Sequence, residues 1–248
     1  VKLYHGTTKR VARLASIDGL RPRGVGGDTN WALRSNPDTV YLTTCYAAYF
    51  AWNARLSTAG RRDRPAIVEV DTDLLDTDAL RPDEDALEQM TRGDADFLES
   101  VGLTGASMDV RTRWFRERAS TFAHVWGKSL EVLGTCGHHG TIPARAVTRV
   151  AVLPIKAPQL TMLCTDPSIC IINHELCGAK YRALTDSIFE RGVTRELREE
   201  LFGGEILPGM PDPDASGAYE MAIARLDAEL NLIEIEECGD VEVDAVAS

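Results

Sequence analysis

Two short apolar runs, each ending in a polar, turn-prone tip, constrain this chain more than any other feature. The first is Leu3-Tyr4-His5-Gly6-Thr7-Thr8 and the second is Val40-Tyr41-Leu42-Thr43-Thr44. Both have the length and the aromatic or β-branched content of strands, and each runs into a helix-forming stretch. Strand tips of this kind line a cleft when they lie side by side, and Gly6 lets a ligand come close to the backbone. A lone histidine beside apolar residues is more often a satisfied structural residue. His5 therefore gains its meaning from the company of Tyr41.

The rest of the chain is punctuated in a regular way. Thr8 is placed to cap a helix over Lys9–Asp18, with Val11, Leu14 and Ala15 as its apolar face and Gly19 as its stop. Gly24 to Pro37 reads as a glycine-rich loop. Cys45–Leu56 reads as a helix of small residues packed closely on a sheet, and Ala66–Asp71 as a mostly buried strand. The acidic, turn-rich segment that follows contains Arg81-Pro82-Asp83-Glu84-Asp85. That run invites a metal, but carboxylates in such a loop are as a rule simply solvated, and no metal is expected. Trp114, Phe115 and the arginines around them suit either an amphipathic helix or a surface for bases or peptides. Val147–Ile155 reads as a last strand. Three helices follow, Tyr181–Glu190, Thr194–Phe202 and Ser216–Asn231, and then an acidic end expected to fray.

Composition narrows the class. No apolar run approaches the ~18 residues of a membrane span, and no signal segment is visible, so a cytoplasmic protein with no membrane partner is expected. Its six cysteines are then reduced. Cys164, Cys170, His174 and Cys177 have zinc-ligand chemistry without a familiar spacing. The net charge is −11, yet eleven of the 38 acidic residues and one of the 27 basic ones, Arg225, lie from Pro211 onward, which leaves residues 1–210 at −1. Total composition thus lacks the basic footprint of a nucleic-acid binder. Local groups at Arg21/Arg23, Arg61/Arg62/Arg64 and Arg111/Arg113/Arg116/Arg118 keep nucleic acid open as a partner.

His5-Gly6-Thr7 on the first run, Tyr41-Leu42-Thr43 on the second and Tyr46-Ala47-Ala48-Tyr49-Phe50-Ala51 behind it form an ordered set. Gly140-Thr141-Ile142-Pro143 through Arg149-Val150 adds a fourth piece. In these motifs the first 155 or so residues resemble the NAD-binding core of ADP-ribosyltransferases, in the diphtheria-toxin-like branch with a His-Tyr-Glu signature. The resemblance implies an α+β fold over residues 1–157, with two small packed β-sheets flanked by helices and NAD between them. Residues 158–248 would be a helical extension with an acidic C-terminal tail. It also implies an NAD-dependent mono-ADP-ribosyltransferase, a glycosyltransferase of the pentosyl class that releases nicotinamide. The acceptor would be a macromolecule, DNA, RNA or protein, as for a toxin or effector.

By the same resemblance, His5 would hold an adenosine-ribose hydroxyl and Gly6 would meet the nicotinamide amide through its backbone. Tyr41 would stack on the nicotinamide ring. Thr7 and Thr43 would be secondary donors, and Arg21 or Arg23 would lie near the phosphates beneath the Gly24–Pro37 loop. The reaction breaks a bond to a sugar carbon that becomes oxocarbenium-like, so it needs a held pose, a stabilised cation and one aimed nucleophile. A carboxylate on the ribose 2′-hydroxyl serves the second need. Glu131 is the nearest such residue upstream of Ile142, but the gap between them is longer than the family's. Either a bulge inserts Gly134–Gly137, or Thr135, Cys136 or His138 occupies the third position.

Three other readings stay open. RNA 2′-phosphotransferases share the fold, although they carry Arg-His where this chain has Tyr4-His5. A non-catalytic module could bind NAD or a modified nucleotide. An interaction protein could use its acidic tail against a basic partner, or the tail could shield the cleft, and removal of residues 211–248 separates these roles. The enzyme reading demands Glu131, or a substitute, facing the cleft beside Tyr41.

Overall fold

Strand-forming runs far apart in the chain meet in one sheet. In the computed structural model, which describes residues 1–24, 35–56, 62–165, 174–202 and 217–238, these are β1 (Lys2–Thr8), β2 (Thr39–Thr43), β3 (Pro65–Asp71), β4 (Leu80–Pro82), β5 (Thr135–His139), β6 (Val147–Val152) and β7 (Glu234–Glu237). They form a seven-stranded sheet in the order β4-β5-β2-β1-β3-β6-β7, and each neighbouring pair is antiparallel. Helices cover it: α1 (Lys9–Asp18), α2 (Ala47–Leu56), α3 (Glu84–Thr91), α4 (Ala95–Ser100), α5 (Met108–Arg116), α6 (Trp126–Leu133), α7 (Pro158–Thr165), α8 (His174–Glu190), α9 (Arg195–Phe202) and α10 (Ala218–Leu230). The class is therefore α+β, as expected. No helix among the described residues is long and apolar enough to cross a membrane.

The two-residue period of a strand sorts the core. Tyr4, Ile67 and Ala151 face one apolar cluster, which α2, α7, α8 and α10 complete through Ala47, Leu160, Leu184 and Leu226. Leu3, Val68 and Val150 face the other, with Ala12 and Ala15 of α1. Helix α1 has the expected span, but its cap differs. The Thr8 side chain makes no capping bond. Instead Asp63 accepts from the Arg10 N–H at 2.9 Å, and the Arg64 carbonyl accepts from Lys9 N–H at 2.8 Å.

Three expectations need correcting. Two separate packed sheets do not form: the strands make one sheet, although a weak one between β1 and β2, where a single register pair, Tyr4↔Thr43, joins them. Val147–Ile155 supplies β6 but not the last strand. Among the described residues that is Glu234–Glu237, which continues the sheet in the register Arg149↔Glu237 to Val152↔Glu234. Part of the acidic end is thus ordered rather than frayed, because Lys9 holds Glu234 at 3.2 Å, Arg13 holds Glu236 at 2.7 Å, and Arg64 also pairs with Glu234. Residues 239–248 lie outside the described residues, as do Gly203-Gly204 and the prolines at 208, 211 and 213. Of the two readings of Trp114 and Phe115, the helix with a buried face is the one seen, in α5. Phe115 is fully buried, stacked on Phe97 at 6.1 Å between centroids, while Trp114 lies under the Arg118 guanidinium at 4.5 Å.

The segment after residue 157 is built into the same core. Glu229 of α10 caps α7, accepting from Leu160 N–H at 2.8 Å and Gln159 N–H at 3.2 Å. Thr185 of α8 donates to the Cys45 carbonyl at 2.7 Å. A chain ending at residue 210 would lose β7 and strip Ile223, Leu226, Leu230 and Ile233 from the core. At about 1.5–3 kcal/mol for each buried side chain, that loss rivals the whole stability of an ordinary domain, about 5–15 kcal/mol. We expect this truncation to abolish the cooperative thermal transition seen by circular dichroism. An unchanged melting curve would contradict the shared core.

Candidate functional site

All seven residues of β1 pair with β3 and all five of β2 pair with β5, yet β1 and β2 meet only at Tyr4↔Thr43. Beyond that pair the strands part. The sheet opens between a three-stranded lobe, β4-β5-β2, and a four-stranded lobe, β1-β3-β6-β7. Thr43 sits at the hinge of the opening. Its hydroxyl donates to the Gly134 carbonyl at 2.7 Å and accepts from the N–H groups of Cys45 at 3.2 Å and Tyr46 at 3.0 Å. It thereby starts α2 and is committed to that role, not to a ligand.

His5 spans the opening. Its Nδ1 lies 2.8 Å from the Tyr41 carbonyl oxygen. A carbonyl only accepts, so Nδ1 carries the proton and Nε2 is left as an acceptor. Burial lowers the His5 pKa, although the bond to Tyr41 acts in the opposite sense. The ring is thus neutral at physiological pH. It is fitted to receive a hydroxyl donor and not to give up a proton.

Across from it, the Tyr41 hydroxyl donates to the Glu84 carboxylate, 2.8 Å from Oε1 and 2.7 Å from Oε2, and accepts from the Asn36 N–H at 3.0 Å. Burial, and then the charge of Glu84, hold the phenol pKa well above its ordinary value, so the hydroxyl keeps its proton. Glu84 opens α3 and is only 7% exposed, paired with Arg116 of α5 at 3.2 Å. A second bridge ties the same two helices, Glu88 to Arg111 at 2.5 Å. Asp83 caps α3, accepting from the Asp85 N–H at 2.9 Å, while its own N–H donates to Ser129 Oγ at 2.9 Å. Burial, followed by the charges of Glu84 and Asp85, pushes Asp83 up from 3.8 to about 8. The segment expected to be a solvated loop is in fact a buried helix start.

The expected site residues divide accordingly. His5 and Tyr41 come together. Glu131 does not join them: it is 67% exposed on α6 and paired with Lys128 at 2.5 Å. Helix α6 turns Trp126 and Leu130 toward the core and buries Ser129 and Leu133, which leaves position 131 outward. The carboxylate beside Tyr41 is Glu84. Of the other candidates for the third position, Cys136 is buried in the second apolar cluster. Thr135 is buried opposite Thr43, and His138 is buried opposite Val40. Register sets Gly137 against Tyr41.

Gly6 serves packing. A Cβ there would stand 2.2 Å from the Ala47 carbonyl and 2.4 Å from the Ala51 nitrogen, so the missing side chain admits α2 and not a ligand. Thr7 is buried. Arg21 is exposed and pairs with Asp18 at 3.5 Å. Arg23 clasps the loop base, donating to the Gly24 carbonyl at 2.9 Å and to the Ser35 carbonyl. Residues 25–34 of the Gly24–Pro37 loop lie outside the described residues, and so does Cys170. Among the described residues no group of three His, Cys, Asp or Glu side chains gathers as a metal site. His174 instead meets the Tyr46 hydroxyl at 3.0 Å.

Sequence reasoning missed Glu84 and Arg116. A signal for the helix start existed, since Asp83 followed by two acids and then Ala86-Leu87 is an N-terminal pattern. Nothing local places that start against Tyr41. No protein-family profile, curated protein or solved structure matches the chain in comparisons with known proteins.

Two measurements check this geometry. Gly6→Ala should lower stability by about 3 kcal/mol or more, a fall in Tm of roughly 10 °C. Asp83→Asn keeps the cap but removes the acid. A carboxyl whose folded pKa is raised holds its proton in the native state, so its effect on stability turns unfavourable as pH rises from its unfolded 3.8 toward about 8. In urea titrations the variant should therefore gain on the wild type toward pH 8 and match it near pH 4. A constant difference across that range would show that Asp83 does not titrate as described.

Proposed function

We propose that this chain is an NAD-dependent mono-ADP-ribosyltransferase that binds NAD where β1 and β2 part and transfers ADP-ribose to a macromolecule. The observation that carries the reading is the bond from His5 Nδ1 to the Tyr41 carbonyl across the opening. It joins the two motif residues, fixes the imidazole tautomer and leaves Nε2 to accept from a ribose hydroxyl, while burial favours the neutral ring. The Tyr41 ring supplies a flat wall for nicotinamide. Peptide groups of His5 and Gly6 border the gap on the β1 side. The carboxylate beside Tyr41 is Glu84 rather than Glu131, and it is engaged by the Tyr41 hydroxyl and by Arg116.

The chemistry asked of these residues is mainly binding and orientation. Holding the sugar and the ring at fixed angles replaces a diffusive encounter with a set geometry. A second reading, a module that binds NAD or a modified nucleotide without transfer, is favoured by one observation: Glu131 lies on the surface, and Glu84 is already engaged by Tyr41 and Arg116.

Nicotinamide release from NAD, measured alone and with DNA, RNA or protein added, separates the two. We expect release that one acceptor class stimulates, a loss of at least tenfold in His5→Ala, consistent with removing one buried hydrogen bond to substrate, and no change in Glu131→Ala. Binding of NAD by calorimetry with no release would establish the module instead. No binding at all would overturn both.

A further inference from the structure

The contacts around Tyr41 go further than a wall for a ring. Resting on the reading that Tyr41 meets the nicotinamide, we infer that Glu84 and Arg116 are positioning residues, which set the Tyr41 ring through its hydroxyl and do not act on the sugar. A tyrosine side chain has two rotatable bonds that place its ring, and fixing the far end of the ring freezes both. Here that end is fixed by an O–H donated to a carboxylate, a charge-assisted bond about twice as strong as a neutral one.

The carboxylate is itself immobile. It belongs to the first residue of α3, whose start is pinned by the Asp83 cap and by the bond from the Asp83 N–H to Ser129. Arg116 holds it from α5 at 3.2 Å, and the Arg111–Glu88 bridge fixes α5 against α3. Both of its oxygens lie within 2.8 Å of the Tyr41 hydroxyl, and the side chain is 7% exposed. A carboxylate so occupied presents little surface to a sugar, which favours action through the ring.

The same hydroxyl accepts from the Asn36 N–H, one residue beyond Ser35, where Arg23 clasps the loop base. The ring is therefore the meeting point of the α3–α5 pair, strand β2 and the base of the loop. An aromatic wall with this support is preset before any ligand arrives, and the support lies in residues that need not touch the ligand.

The test uses the full chain with Tyr41→Phe, Glu84→Gln, the double variant and Arg116→Gln. Steady-state nicotinamide release is read as KM for NAD and kcat. Tyrosine ring-carbon NMR is recorded against pH without NAD. Each of the first two variants should raise KM about tenfold, the equivalent of one hydrogen bond's worth of orientation, with kcat within about twofold. The double variant should be no worse than either single one, because both remove the same contact. Arg116→Gln should move KM the same way by less. In the NMR titration, the Tyr41 signal should resist ionisation in the wild type and ionise at lower pH in Glu84→Gln. A tenfold fall in kcat at constant KM in Glu84→Gln, additive with Tyr41→Phe, would overturn the inference and place the carboxylate on the sugar. An unchanged KM together with an unchanged NMR titration would overturn it as well. If the unaltered chain binds no NAD, the functional reading falls, and the NMR titration shows separately whether Glu84 holds the ring.

Discussion

Where a strand leaves its neighbour, the peptide groups that face the gap lose their partners, and a buried carbonyl left unbonded costs about 1–3 kcal/mol. The Tyr41 carbonyl is such a group. It faces β1 at a point where β1 and β2 no longer pair, and the His5 side chain takes the place of the absent strand N–H. The opening of the sheet depends on this substitution. It lets β2 stay with β5 and β1 stay with β3 while the two lobes share only the Tyr4↔Thr43 contact. The imidazole is thereby fixed in tautomer and direction, and burial favours its neutral form, before any ligand is considered.

Around that opening the molecule is held from both ends of the chain. Helix α2 lies directly against β1 because position 6 carries no side chain, and Thr43 starts the same helix at the hinge. The last described strand, β7, closes the far side of the sheet on β6, and its glutamates reach Lys9, Arg13 and Arg64. The lobes thus rest on packing and hydrogen bonds contributed by residues more than 200 positions apart, such as Lys9 with Glu234.

Much of this was legible in the residues. The runs around His5, Tyr41 and Ile67 read as strands because their composition and length leave few alternatives, and Lys9–Asp18 read as a helix because Gly19 stops it. Nothing local showed that Trp126–Leu133 is a helix ending before β5, and the outward face of position 131 depends on which side of α6 packs against α3, β4 and β5. Glu84 was hidden for a related reason. It reaches Tyr41 only because Leu80–Pro82 pairs with β5, with Arg81 opposite Gly137 and Gly137 opposite Tyr41. A glutamate-rich strand such as Glu234–Glu237 carries a poor local signal, since the cations that compensate it lie at the other end of the sequence.

The outer borders of the sheet are guarded in ways that isolated edge strands commonly are. One border, β4, has three residues and ends in Pro82; the other, β7, has four, three of them glutamates. Neither offers a long, uncharged row of peptide groups to another chain. The place where neighbouring strands part lies instead inside the sheet, between His5–Thr8 and Thr39–Leu42. Adhesion between copies is thus discouraged at the perimeter, while the seam inside the sheet is bridged by a side chain, His5, in place of another strand.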